Sequence, residues 1–275
     1  MRRSLLCLAI LLAAAPAAAQ NKSTPVTMAD LPDAYRAEIA ESEAVGQEVF
    51  QRDEATKGAV VYIRREQSID PRANVWITDM VPDGVKVMAI AYLGDQHMVI
   101  QEVTMLGRGE VAGSFHAYPN GIPLDARFLP MLSAIRTAAS QRVQGCPGHY
   151  EMVVMPRSVG GRDEIWVFLL MAGGDGVMRV GGNVLVRVDA AGETVLETRH
   201  FTKSCLDVRM DEAPEDHRLA MAAVSHLTSD TPTPVHVFLN FKHGLPLSII
   251  TTSNGIMWNV EQGRIMPFEK FEMPN

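Results

Sequence analysis

The feature of this chain that most constrains its fold is a series of short apolar segments separated by turn sequences. Val184, Val186 and Val188 alternate with other residues, as in a strand with one buried face. Asn254-Gly255 is a common hairpin turn. Closely spaced strands favour antiparallel pairing, because parallel pairing needs long crossover connections. The predicted strands are residues 59–64, 75–78, 85–93, 97–105, 150–155, 165–171, 183–188, 193–201, 219–227, 235–241, 247–252 and 256–260.

Two amphipathic segments predict helices. The first begins after Asp30, a suitable N-cap residue, and ends at Lys57-Gly58. In the second, Pro130 fits the first turn, where its missing N–H is tolerated. The apolar face of this second helix comprises Phe128, Met131, Leu132, Ile135 and Ala138.

These elements predict an α+β fold class. We expect a large, mainly antiparallel sheet with an N-terminal helix and one mid-chain helix packed on it. Residues 20–275 are predicted to form a single domain, and a loop rich in Gly, Pro and Asn at residues 107–123 marks the alternative of two lobes.

Residues 1–19 have the pattern of a secretory signal peptide. Arg2 and Arg3 give a basic start, residues 5–15 are an unbroken apolar run, and residues 17–19 are alanines. The run is about half the roughly 20 residues that a permanent transmembrane helix needs. We therefore expect cleavage of this segment and export to the periplasm or the medium, without a stable membrane anchor afterwards.

The cysteine count agrees with export. Of the three cysteines, Cys7 lies in the predicted signal peptide, and its removal leaves Cys146 and Cys205. An even pair in an oxidising compartment predicts one disulfide. A redox-active pair is less favoured, because no Cys-x-x-Cys motif occurs.

The charge of the chain argues against two classes of partner. Loss of the predicted signal peptide changes the formal net charge from −7 to −9. Nucleic acids and anionic membrane surfaces both require clustered Lys and Arg, and the basic residues here are dispersed. A protein partner is compatible with this composition, and the sequence leaves the oligomeric state open.

The sequence contains no specific catalytic or cofactor-binding motif. It lacks a G-x-S-x-G elbow, an H-E-x-x-H motif, a Walker loop, an EF-hand loop and an S-x-x-K motif. Gly173-Gly174-Asp175-Gly176 has the wrong spacing for a dinucleotide loop, and a strand is predicted after it. We therefore predict neither a cofactor nor a bound metal.

The candidate catalytic residues are His226, His236 and Asp230. The two histidines would face each other across a predicted hairpin, and with Asp230 they offer ligand types that suit zinc. Ser225 cannot pair locally with His226, because adjacent strand residues point to opposite faces. A nucleophile would then come from elsewhere, and the candidates are Ser114 and Ser204. The alternative without a function in catalysis is that these histidines are structural or surface residues.

Two further segments have weak functional patterns. An acidic loop could bind a hard cation through oxygen ligands, although it lacks the spacing of a known calcium loop; its acidic residues are Asp207, Asp211, Glu212, Glu215 and Asp216. Thr231-Pro232-Thr233-Pro234 removes two backbone donors and predicts an exposed, extended connector or docking edge.

Two hypotheses from different classes follow. The first is an exported, disulfide-bonded protein without enzymatic activity, which acts as a binding or envelope-associated module. The alternative is an exported hydrolase, with or without a metal, that uses His226, His236 and Asp230. The missing motifs favour the first, although many enzymes assemble their sites from residues scattered along the chain.

Overall fold

The computed structural model describes residues 23–106, 110–113, 115–143, 145–174, 176–210 and 219–272. The predicted signal peptide at residues 1–19 lies outside them. The described chain forms three α-helices and several mainly antiparallel sheets, which confirms the α+β fold class. The helices are α1 (Asp33–Glu66), α2 (Leu129–Ala139) and α3 (Pro234–His243).

The strands form four sheets rather than one large sheet. In chain order they are β1 (Ser23–Pro25), β2 (Val75–Val81), β3 (Gly84–Leu93), β4 (Gln96–Met105), β5 (His116–Pro123), β6 (Tyr150–Val159), β7 (Arg162–Met171), β8 (Val177–Arg179), β9 (Val184–Asp189), β10 (Val195–His200), β11 (Asp207–Arg209), β12 (Ala222–His226), β13 (Leu247–Thr251), β14 (Ile256–Glu261) and β15 (Arg264–Phe271). The sheet orders are β1-β15-β14-β13-β12, β10-β9-β7-β6, β2-β3-β4-β5 and β11-β8.

Strand β7 lies at the centre of the packing, because both of its faces are buried. Trp166 and Phe168 on one face join a core formed with α1, α3 and the five-stranded sheet. Ile165 and Val167 on the other face join a core that includes α2 and residues of β2–β4. A strand covered on both sides reads as a continuous apolar run, which explains its sequence.

Helix α1 is longer than predicted. The sequence placed its end at Lys57-Gly58 and a strand at residues 59–64, but the helix continues to Glu66. Ala55, Ala59 and Ile63 recur at helical spacing and are buried against β3 and β4. This packing outweighs the cost of about 1 kcal/mol that a glycine such as Gly58 imposes inside a helix.

The start of α1 also differs from the prediction. Asp30 does not cap this helix; it ends a preceding 3-10 turn and accepts a hydrogen bond of 2.8 Å from the backbone N–H of Thr27. The N-cap position of α1 is Pro32, which has extended backbone angles. The acidic residue in the first turn of α1 is therefore Asp33.

The predicted strand at residues 235–241 is helix α3. Thr233 is its N-cap residue, and Pro234 occupies the first turn, where a fixed φ favours a helix start. Because every residue from 231 to 240 is buried, the segment lacks the alternation that separates a strand from a helix. The connector at residues 231–234 is consequently buried, and the prediction of an exposed edge was wrong.

Helix α3 also changes the direction of one strand. It connects β12 to β13, and these strands pair in parallel, with Val224 opposite Ile249. A crossover helix is the usual requirement for parallel neighbours. The antiparallel prediction holds for β13 and β14, which Asn254-Gly255 joins as a hairpin.

The sequence predicted a long loop at residues 107–123. This prediction was wrong, because the segment includes strand β5. This strand pairs with β4, which places Glu102 opposite His116 and Met98 opposite Pro123. The register shifts between these pairs, and Gly121 has a positive φ, which makes the strand irregular. The single domain over residues 20–275 stays a prediction.

A disulfide joins Cys146 and Cys205, as predicted, with their Cα atoms 5.5 Å apart. Cys146 follows α2, and Cys205 follows β10. The bond therefore links two segments whose cysteines are separated by 59 positions in the sequence. Within the described residues, none of the helices combines the length and the apolarity that crossing a membrane requires.

Candidate functional site

A cleft of about 480 Å³ opens between α1, the sheet containing β9 and β10, and the loop before α3. We call it the charged cleft. Its apolar floor includes Trp166, Leu185 and Phe201, all buried. Its walls and rim are polar and are formed by Glu38, Glu41, Arg187, Glu197, Arg199, Ser229, Asp230 and Thr231.

The alternation of β9 determines which side chains reach the charged cleft. Val184, Val186 and Val188 lie together on one face and join the core under α2, as the sequence predicts. Leu185 and Arg187 therefore point to the opposite face and line the cleft. The two faces of one strand thus separate the core from the candidate site.

The positive charge of Arg187 is neutralised by two glutamates. Its guanidinium donates two hydrogen bonds of 2.8 and 2.9 Å to the buried carboxylate of Glu164, and one of 2.6 Å to Glu197. The Arg187 hydrogen bonds lower the pKa of Glu164, which stays ionised despite its burial. This group is therefore a structural ion pair at the cleft wall.

The guanidinium of Arg199 differs from that of Arg187. It lies 5.5 Å from the ring centroid of Phe201 in a cation–π contact. In the described parts of the chain, no carboxylate forms an ion pair with it. Arg199 therefore presents a positive charge to the cleft that a ligand can neutralise.

The opposite side of the cleft carries carboxylates without a cationic partner among the described residues. Glu38 accepts a hydrogen bond of 3.0 Å from the Thr231 hydroxyl, and Asp230 accepts one of 2.9 Å from Tyr35. Hydrogen bonds from Ser253 and Tyr35 lower the pKa of Asp230, which keeps it ionised. The exposed Glu41 lies beside them on α1.

The structure brings His226 and His236 together, although not across a hairpin. His226 ends β12, His236 lies in the first turn of α3, and the ring centroids are 4.9 Å apart in an edge-on arrangement. Both side chains are buried. Asp230 lies in the intervening loop and faces the charged cleft.

Hydroxyl groups surround the Nε2 atom of His226. This atom lies 2.7 Å from Ser229 Oγ and 3.3 Å from Thr228 Oγ1. Ser229 donates its proton to the Thr231 carbonyl, and Thr228 donates to the Phe201 carbonyl. With the Ser229 and Thr228 protons on these carbonyls, both hydroxyl oxygens are matched by the His226 tautomer that carries its hydrogen on Nε2.

His236 has a separate structural role at the start of α3. Its Nδ1 atom accepts a hydrogen bond of 3.0 Å from the backbone N–H of Thr233. This bond satisfies one of the backbone donors that the first turn of every helix leaves unpaired. The imidazole therefore fixes the beginning of α3.

Burial makes both imidazoles neutral at pH 7. It lowers the pKa of His226 to about 4, and the neighbouring charge of Arg199 acts in the same direction. The pKa of His236 is well below its ordinary value, because the ring is buried and stands against His226. Protonation of either ring would place a charge in the core.

The other predicted residues are separated from this arrangement. Ser225 is exposed while His226 is buried, so the two side chains lie on opposite faces of β12 as expected. Ser204 adjoins the disulfide, where its carbonyl accepts a hydrogen bond from Thr202. Ser114 lies outside the described residues, as do Asp211, Glu212, Glu215 and Asp216. Asp207 lies 3.6 Å from Arg179.

No group of three or more His, Cys, Asp or Glu side chains in the described residues is arranged to hold a metal ion. His226, His236 and Asp230 are among the residues to which this finding applies. The acidic loop lies mostly outside them.

Sequence reasoning missed the residues that give the cleft its character. Ser229 follows His226 by three positions in a turn, and that spacing was the one local sign of its contact with the imidazole. Glu38, Glu41 and Arg199 read as ordinary surface charges in their separate elements. Only the fold, which places residues of α1 and β10 around one cleft, brings them together.

Comparison of the chain with known protein families, with curated proteins and with solved structures finds no match. The functional argument therefore depends on the geometry of the cleft.

Proposed function

We propose that the protein is an exported binding module without enzymatic activity, and that its charged cleft receives a charged segment of a protein partner. A basic side chain of the partner would meet Glu38, Glu41 and Asp230, and an acidic group would meet Arg199. The charges of both signs in one cleft, which have no ion-pair partner among the described residues, carry this proposal.

Export is supported by two observations. The basic and apolar pattern of residues 1–19 is that of a cleaved signal peptide. The Cys146–Cys205 disulfide is compatible with an oxidising compartment, where such bonds persist.

The charge pattern makes recognition of the partner selective. Complementary charges steer two proteins together, whereas like charges placed opposite one another cost several kcal/mol. A cleft of this kind distinguishes a segment of mixed charge from a uniformly acidic or basic one.

Charge reversal tests the proposal. We expect Arg199→Glu or Glu41→Lys to weaken partner binding about tenfold or more, because each change places like charges in contact. Crosslinked material from the native exported fraction would be quantified for each variant. Arg142→Glu and Glu193→Lys are the matched controls, since both residues are exposed and lie outside the cleft. Equal recovery with cleft and control variants would contradict the proposal.

A hydrolase is the second candidate, and the contact between Ser229 and His226 favours it. The 2.7 Å separation is within the range for a nucleophile and a general base, and the Ser229 side chain lines the cleft. A neutral imidazole is the form that accepts a proton. For this chemistry, however, the Ser229 proton would have to turn from the Thr231 carbonyl to Nε2, and Nε2 would have to lose its own proton.

A fluorophosphonate reagent distinguishes the two candidates. We expect no labelling of Ser229, because its hydroxyl donates to the Thr231 carbonyl and so directs its proton away from the imidazole. Labelling would be measured by intact mass. Ser229→Ala is compared with Ser225→Ala, which removes an exposed hydroxyl from the same strand region. Stoichiometric labelling that only Ser229→Ala abolishes would establish the hydrolase instead.

A further inference from the structure

A second cavity, of about 550 Å³, lies between the sheet of β2–β5 and helix α2. We call it the apolar cavity. Six of its lining residues are aliphatic: Val75, Ile90, Ala91, Leu132, Ile135 and Met152. Asn74, Tyr92, His97 and Arg136 also line it. None of the residues that line it also lines the charged cleft. It is therefore a separate feature of the molecule.

The polar groups at the apolar cavity are few, and one is cationic. Arg136 of α2 lines it, and no Asp or Glu among the described residues does. The guanidinium of Arg136 donates a hydrogen bond of 3.2 Å to Ser133 Oγ, and no carboxylate in the described chain forms an ion pair with it. The cavity thus combines an apolar interior with a positive charge that lacks a counter-charge.

The mouth of the apolar cavity is flanked by side chains that are only partly covered. Tyr92 is 54% exposed and packs against His97, with their ring centroids 5.1 Å apart. Met152 is 43% exposed on the other side. Exposed apolar side chains around a concave apolar surface mark a place where a ligand gains contact area.

We propose that the apolar cavity binds a single-chain amphiphile with a carboxylate head, such as a medium-chain fatty acid. The alkyl chain lies against the aliphatic side chains, and the carboxylate pairs with Arg136. The volume is within the range of about 300–1,000 Å³ that is typical of small-molecule sites. The absence of an acidic lining residue disfavours a cationic amphiphile.

Titration calorimetry with saturated carboxylates from hexanoate to dodecanoate, each below its micelle concentration, tests the proposal. We expect one-to-one binding that tightens roughly fourfold with each added methylene until the cavity is filled. The alcohol of the same chain length separates the contribution of the head group from that of the chain.

Two variants test whether the ligand binds in the apolar cavity. Arg136→Gln should weaken carboxylate binding about fivefold and leave alcohol binding unchanged, because an exposed ion pair contributes a modest gain. Arg142→Gln is its control. Met152→Trp should weaken both ligands by filling the mouth, and Met80→Trp, at a residue of similar exposure on β2, should not.

Two results would contradict binding at this cavity. One is binding that does not saturate, and the other is an equal loss of affinity in Met152→Trp and Met80→Trp. Binding that survives Arg136→Gln undiminished would overturn the assignment of a carboxylate ligand. Neither result bears on the charged cleft, because the two sites share no lining residue.

Discussion

Replacing Cys146 and Cys205 together with alanine is expected to lower the free energy of unfolding by about 4 kcal/mol. The disulfide closes a segment with a sequence separation of 59, and the cross-link mainly restricts the unfolded chain. Glycines pack closely beside it: a Cβ on Gly182 would lie 2.7 Å from Cys146 Sγ. The double variant therefore also leaves a gap in this packing.

Urea unfolding under oxidising and reducing conditions measures this effect. The wild-type protein should lose about the same free energy on reduction as the double variant loses by substitution. The double variant is its own control, since reductant should not change its stability. Intact mass of the natively purified protein should be two hydrogens below the dithiol form. Two alkylatable thiols in this material, or equal stability of both proteins under oxidising conditions, would contradict the account.

Acidification is expected to destabilise the protein in a window set by the buried histidines. The unfolded chain binds a proton at His226 near pH 6.5, whereas the folded protein binds it only near the lowered pKa of about 4. Between these values the unfolded state holds more protons, so stability falls as the pH falls. For His226 the loss is on the order of 3 kcal/mol over the whole window. His236 acts in the same direction.

Urea unfolding at a series of pH values tests this prediction. The region between pH 6.5 and 5 is diagnostic, because carboxylates with lowered pKa values contribute mainly at more acidic pH. His226→Gln should weaken the dependence in this region, to which His236 and His243 also contribute, while keeping a side-chain N–H that can reach Ser229. His200→Gln, which changes an exposed residue at the end of β10, is the control. A stability that is constant across this region would show that the imidazoles are accessible to protons.

Local patterns predicted those parts of the fold in which packing follows sequence periodicity. Helix α2 was predicted because one face is apolar and Pro130 fits its first turn. Strand β9 was predicted from its alternating valines, and the disulfide from the even cysteine pair. For the helix and the strand, the residues of one short segment are enough to predict the element. For the disulfide, the number of cysteines is enough.

The errors fall where tertiary packing overrides local pattern. Helix α3 is buried on every side, so it has no polar face to reveal its period. Strand β15 contains Pro267, which argues against a central strand, yet it lies between β1 and β14. The division into four sheets depends on which strands meet, and no local pattern specifies that choice.

The charged cleft was beyond sequence reasoning for a related reason. Glu41 belongs to a helix and Arg199 to a strand far along the chain, and each resembles a solvated surface charge. Their significance arises only from the fold, which brings them to one cleft and gives them no ion-pair partner in the described part of the chain. The histidines were singled out from the sequence, and the structure places them side by side, with contacts to Ser229 and to the backbone N–H of Thr233. Their catalytic role stays a prediction.

Site-specific photocrosslinking from the charged cleft tests the central claim most directly. A benzophenone side chain would replace Glu41 in the cleft or, as a control, the exposed Glu193 outside it. Irradiation of the native cell fraction that contains the protein should give one discrete heavier species from position 41, which Arg199→Glu abolishes, and none from position 193. Folded protein that forms no adduct from position 41, or the same adduct from both positions, would contradict a binding role for the charged cleft.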